Sequence, residues 1–209
     1  MPTRPSARRE ELLDRAYRYA LEHGLADLSL RPLATAIGSS PRVLLFLFGS
    51  KEGLVRELLA KARADELGYL AREGAAGPDA ASQDGLPAMV AATWRWLAAE
   101  PVRPLLTLWT EAYGRSLVEP GGPWSGFASQ SVADWLEVLA AAEPAGTDAE
   151  SAGTAAEPDA PAGTDRTLAL AVLRGCLLDL LATGDAERVG AAITRFIRLT
   201  AGTGHGAGD

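Results

Sequence analysis

Apolar residues recur at helical spacing through most of the chain, and glycines and prolines punctuate the recurrence. In residues 9–23, REELLDRAYRYALEH, one stripe is formed by Leu12, Leu13, Ala16, Tyr17, Ala20 and Leu21, and Gly24 follows where a helix often ends through a left-handed residue. The next segment, LSLRPLATAIG, offers Ser29 as N-cap, Pro32 in the first turn and Gly38 as the stop, predicting a short helix over about 30–37. Ser40 then caps and Pro41 opens a third helix, about 41–48, which Gly49 ends. Two short helices separated by a tight Gly-Ser-Ser turn read as a helix-turn-helix. Ser50 caps a fourth helix whose Leu54, Val55, Leu58, Leu59, Ala62, Tyr69 and Leu70 keep a stripe to about residue 72, connecting head to body.

Residues 74–85, GAAGPDAASQDG, have turn composition and no period, and are expected to form a loop. Helical patterns resume in LPAMVAATWRWLAAEP and VRPLLTLWTEAYGRSLVE, and after a GGPW turn in a helix over about 125–141. Residues 142–165 nearly repeat themselves, hold six acids and no base, and lack any large apolar side chain, so they read as a flexible loop unable to offset its own ordering entropy. Two helices close the chain. RTLALAVLRGCLLDLLATGD is apolar almost all round, which predicts burial on every side, whereas AERVGAAITRFIRLTA keeps Val189, Ile193, Phe196, Ile197 and Thr200 on one stripe. The fold class is therefore all-α: a three-helix head with a helix-turn-helix, and a helical body.

Charge sharpens this division. Residues 1–72 hold 12 Lys and Arg against 9 Asp and Glu, while residues 73–209 hold 8 against 18, so a net +3 head precedes a net −10 body within an overall −7. The single cysteine, Cys176, allows no intrachain disulfide and favours a reducing compartment. With no apolar leader and no run near the roughly 20 residues a membrane helix needs, cytoplasm is expected and membrane association is not. Catalysis finds no inventory. His23 ends a helix, His205 lies in a Gly-rich tail, Cys176 sits in the most apolar helix, and GPWSGF lacks the spacing of a nucleophile elbow. No metal cluster, phosphate loop or dinucleotide fingerprint appears, so no metal or cofactor is expected.

The motifs LLDRA, HGLADLSLRPLATAIGSS and LFGSKEGL, at this spacing over residues 9–60, resemble the TetR family of bacterial transcriptional repressors. The resemblance implies a DNA-binding head, residues 1–50 with its helix-turn-helix at about 29–48, and a ligand-binding and dimerising body, residues 51–209, with connecting helix 51–72 and dimer helices 166–200. It further implies a homodimer on a double-stranded operator in the bacterial nucleoid, released by a small-molecule effector. Where such proteins commonly carry Tyr, this chain has Leu45, and where His is frequent it has Leu47. Both changes remove polar groups expected to hold the DNA backbone. The alternative is thus a helical ligand-binding or adaptor protein that kept the head and lost specific DNA binding.

A wheel at 100 degrees per residue places Leu44, Phe48 and, at the edge, Leu45 toward the head's own helices, with Arg42, Val43 and Phe46 on another side. Thymine presents a methyl in the major groove, so Val43 and Phe46 can read thymines while Arg42 meets guanine or phosphate. Lys51 opposes the dipole of the helix it begins, which suggests an anionic partner such as a phosphate. Arg31 and Thr35 on the second helix and Ser39 and Ser40 in the turn are further backbone contacts, and Arg4, Arg8 and Arg9 form a candidate minor-groove arm. In the body, Trp94, Trp96, Trp109, Tyr113, Trp124, Phe127 and Trp135 are candidate pocket residues, together with Arg174, although helical aromatics are more often core. Arg103 and Arg174 are cations in apolar helices, fit to pair an acid such as Asp179 or Glu111 or to meet an anionic ligand. The expected dimer contacts are Leu173, Leu177, Leu180, Ile193, Phe196 and Ile197.

Overall fold

The computed structural model describes residues 4–75, 81–140 and 163–202, and every regular element among them is a helix. The order is α1 Arg4–His23, α2 Leu30–Ala36, α3 Pro41–Phe48, α4 Lys51–Ala75, α5 Ala81–Leu97, a 3-10 turn Glu100–Val102, α6 Arg103–Val118, α7 Phe127–Ala140, α8 Thr164–Thr183 and α9 Ala186–Gly202. None of the described helices is long and apolar enough to cross a membrane.

α2 and α3 fall where the stripes and punctuation place them, because local chemistry decides their ends. Ser40 is extended and its hydroxyl accepts the amide of Val43 at 3.3 Å, Pro41 fills the first turn, and Gly49 leaves the helix at φ 77° while its amide donates to the Leu45 carbonyl. At α2 the expected cap is different: Ser29 is extended but makes no side-chain cap bond. The helix also starts α1 earlier than the stripe does. Residues from Arg4 on are helical, and Arg8 pairs with Glu11 at 2.7 Å one turn on, so the basic residues are part of α1 and not an extended arm. The loop expected over 74–85 is interrupted likewise: α4 runs to Ala75 and α5 begins at Ala81, with its backbone leaving the helix at Gly85 before Pro87 starts the straight segment. Apart from its last residues, which open α8, the expected loop 142–165 lies outside the described residues, as does His205.

Compactness groups the chain differently from chain order. One unit consists of the chain up to Leu67 together with Pro104–Ser131, and the other of Gly68–Arg103 together with Val132 onward. In the first, α6 joins the three head helices, and Leu12, Leu33, Leu44, Leu54, Leu58, Leu106 and Leu108 are all fully buried. In the second, α5, α8 and α9 pack on one another, with Val90, Leu139, Leu173, Leu177, Val189 and Ile193 buried. Each such side chain removed from water stabilises its unit by about 1.5 to 3 kcal/mol.

Candidate nucleic-acid interface

The turn between α2 and α3 is built by hydrogen bonds from two sides. The Ser39 amide donates to Ala34 at 2.8 Å and the Gly38 amide to Thr35, closing the end of α2. From α1, the Arg15 guanidinium donates to the Ile37 carbonyl at 3.2 Å and pairs with Glu11 at 2.7 Å, satisfying an acceptor that the short helix leaves open. Leu44 and Phe48 anchor α3 to the head, and Arg9 closes its far end. The Arg9 guanidinium lies 5.1 Å over the Phe48 ring, pairs with Glu57 of α4 at 2.6 Å and donates to the Leu47 carbonyl. Arg9 thus ties α1, α3 and α4 together, a role that sequence alone hides because it needs three helices in place.

The junction of α3 and α4 also explains LFGSKEGL. The Ser50 hydroxyl accepts the Gly53 amide at 2.9 Å, and a side chain at Gly53 would be driven into the Phe48 carbonyl oxygen, so only glycine lets α3 end against the first turn of α4. Lys51 stands exposed in that turn. Beside it, Glu52 has its carboxyl held below the usual carboxylate range, first by its own backbone amide and then by Ser50.

These supports leave one side of α3 uncovered. Phe46 is 85% exposed, Leu45 43% and Val43 39%, with Arg42 exposed beside them. The assignment of Leu45 to the anchoring side is overturned: a position at the edge of the wheel goes to whichever side the neighbouring helices leave open, and here that is solvent. Ser39 is also corrected. Its hydroxyl is buried without a hydrogen-bond partner and its amide is spent on Ala34, so neither group faces outward. Arg31, Thr35 and Ser40 are exposed, with the Thr35 hydroxyl donating back to the Arg31 carbonyl.

Residues 12–58 match the family model of bacterial regulatory proteins, tetR family. The helix-turn-helix head is what matches that family. A protein of Rhodococcus sp. assigned to the TetR regulators superposes with a TM-score of 0.66 at 17% identity, covering 94% of this chain and 99% of that one. The multidrug binding protein EbrR, solved with imidazole, superposes with a TM-score of 0.63 at 25% identity over 93% of each chain, and its proflavin complex with 0.57 at 25% identity over 90% and 98%. No curated protein matches the chain. The all-α fold of these solved structures thus extends over the body as well as the helix-turn-helix head.

The candidate pocket residues are divided between the two units. In the first, the Trp109 ring nitrogen donates to the Ser131 hydroxyl at 2.9 Å and its ring stacks on Tyr113 at 4.9 Å, while Trp124 and Phe127 are buried. In the second, Trp94 and Arg174 are half-buried, and Trp135 belongs to an aromatic row: Tyr69 to Trp96 at 5.6 Å and Trp96 to Trp135 at 6.3 Å. The Trp96 ring nitrogen is buried with no hydrogen-bond partner. Arg103 pairs with Glu100, Asp179 with Arg188, and Glu111 accepts the Leu25 amide, so neither acid takes the arginine partner expected of it.

Most of the expected dimer contacts are already covered within the chain. Leu173, Leu177, Leu180 and Ile193 are buried in the chain's own core, and Phe196 and Ile197 are half-buried. An all-apolar helix gives no periodicity by which to choose a face. The outward face of α8 carries Leu168, Ala171, Gly175, Leu178 and Ala182, all exposed at alternating three and four spacing.

Proposed function

We propose that the chain is a ligand-responsive repressor that binds a pseudo-palindromic operator as a homodimer. The observation that carries this reading is the uncovered side of α3, held outward by Leu44, Phe48 and Arg9, with Arg42 and Lys51 at its ends. One short helix makes few base contacts, so specificity requires two copies on half-sites about one helical turn or more apart. The exposed apolar stripe on α8 supports that pairing, since covering it removes apolar surface from water. Residues 1–50 would then read DNA from the cytoplasm and residues 51–209 bind effector and partner, with Arg31, Thr35, Ser40, Arg42, Val43, Phe46 and Lys51 facing the duplex.

The unpartnered Trp96 nitrogen within the Tyr69, Trp96 and Trp135 row supports a small-molecule effector carrying a hydrogen-bond acceptor, in keeping with the imidazole and proflavin complexes of EbrR. Binding that favours one spacing of the heads over another by about 1 to 3 kcal/mol releases the operator. The test is a salt-dependent mobility shift on DNA upstream of the chain's own gene. Specific retardation is expected, and Lys51→Ala should weaken it by a similar factor on every operator variant, as loss of a phosphate contact does. Absence of any specific retardation at low salt would overturn the repressor reading in favour of an adaptor, the class that Leu45 and Leu47 point toward.

A further inference from the structure

The exposed edge of α3 is almost devoid of hydrogen-bonding chemistry. Of its eight side chains only Arg42 can donate or accept; Val43, Leu45 and Phe46 are exposed hydrocarbon, and the Ser40 hydroxyl just before them is engaged on the Val43 amide. Base pairs in the major groove are ordinarily told apart by donors and acceptors, and hydrocarbon can distinguish only the presence or absence of the pyrimidine 5-methyl group. Phe46 is 85% exposed and has no other source of burial among the described residues.

Resting on the DNA-binding reading above, we infer that this edge reads the 5-methyl group itself. Thymine is recognised through its methyl and not its O4, 5-methylcytosine stands in for thymine, and cytosine and uracil are rejected. The site's affinity then responds to cytosine methylation of the DNA, a property that a tyrosine or histidine bonding to backbone or base would not confer. Leu45, which the wheel assigned to the core, broadens the methyl-reading surface beyond Val43 and Phe46. Burying one methyl-sized group contributes about 0.8 kcal/mol, so each contacted methyl is expected to change affinity by roughly fourfold.

The experiment uses the full chain and two random duplex libraries, one copied with thymine and one with uracil. Enrichment of a binding sequence is expected from the thymine library and not from the uracil library. Within the enriched sequence, replacing single thymines by uracil should cost roughly fourfold at one or more major-groove positions. Replacement by cytosine should cost at least as much, and replacement by 5-methylcytosine should restore most of the loss. Phe46→Ala, at an exposed position where folding is not at risk, should abolish the thymine-to-uracil difference at its position. Equal enrichment from both libraries, or an enriched sequence indifferent to uracil, would overturn methyl reading while leaving the DNA-binding function standing. Failure of both libraries to enrich would overturn the DNA-binding reading and this inference with it.

Discussion

Tyr17 places its ring in the core of the head and its hydroxyl against Asp65 of α4. Burial, and after it the charge and hydrogen bond of Asp65, push its phenol far above the ordinary value of 10.0. The folded state therefore keeps this proton when the unfolded chain releases it. Stability is full below the unfolded value and falls as pH rises beyond it. Urea unfolding between about pH 8 and about pH 11 should show that fall in the wild type and a shallower one in Tyr17→Phe; equal slopes would mean that Tyr17 does not govern the alkaline limb. Single residues such as this are where sequence was least legible. Arg9 looked like part of a minor-groove arm because its three partners, the Phe48 ring, Glu57 and the Leu47 carbonyl, are 38 or more positions away. Ser39 looked like a phosphate contact because nothing local announces that its hydroxyl turns inward.

At the scale of elements, helix ends with chemical punctuation were legible and helix faces without contrast were not. Ser40, Pro41 and Gly49 fixed α3 to the residue. In α8, apolar on every side, no pattern separated the core face of Leu173 and Leu177 from the exposed face of Leu178. The grouping of α6 with the head was also beyond reach, since its contacts there are distant in sequence: one Glu111 oxygen accepts the Leu25 amide, 86 positions away, at 2.9 Å. That carboxylate sits at the left-handed Gly24, where an added side chain would approach it to 3.1 Å. Glu111→Ala leaves the amide unsatisfied and should destabilise the protein by about 1 to 3 kcal/mol in urea unfolding, whereas Glu111→Gln, which keeps an acceptor, should lose much less. Equal losses in the two variants would assign the effect to packing and not to the bond.

For the whole molecule, the decisive question is whether one chain or two make the functional unit, and the exposed stripe on α8 frames it. Leu178 is 50% exposed, flanked along the helix by Gly175 and Ala182, whose small side chains allow a facing helix to approach closely. A charge at Leu178 disturbs little within the chain because half of the side chain already meets water, yet between two copies it would be buried without a partner, which costs several kcal/mol. Leu178→Arg is thus expected to keep the helical circular dichroism and thermal midpoint of the folded chain near the wild-type values extrapolated to low concentration. Its sedimentation at micromolar concentration should shift from dimer to monomer. Affinity for a palindromic duplex should fall by an order of magnitude or more, while binding to a half-site duplex, which needs one reading helix, should be little altered. A Leu178→Arg protein that sediments as a dimer would move the interface off this stripe, and the remaining outward apolar residue of the closing pair, Leu199 on α9, would become the next place to look.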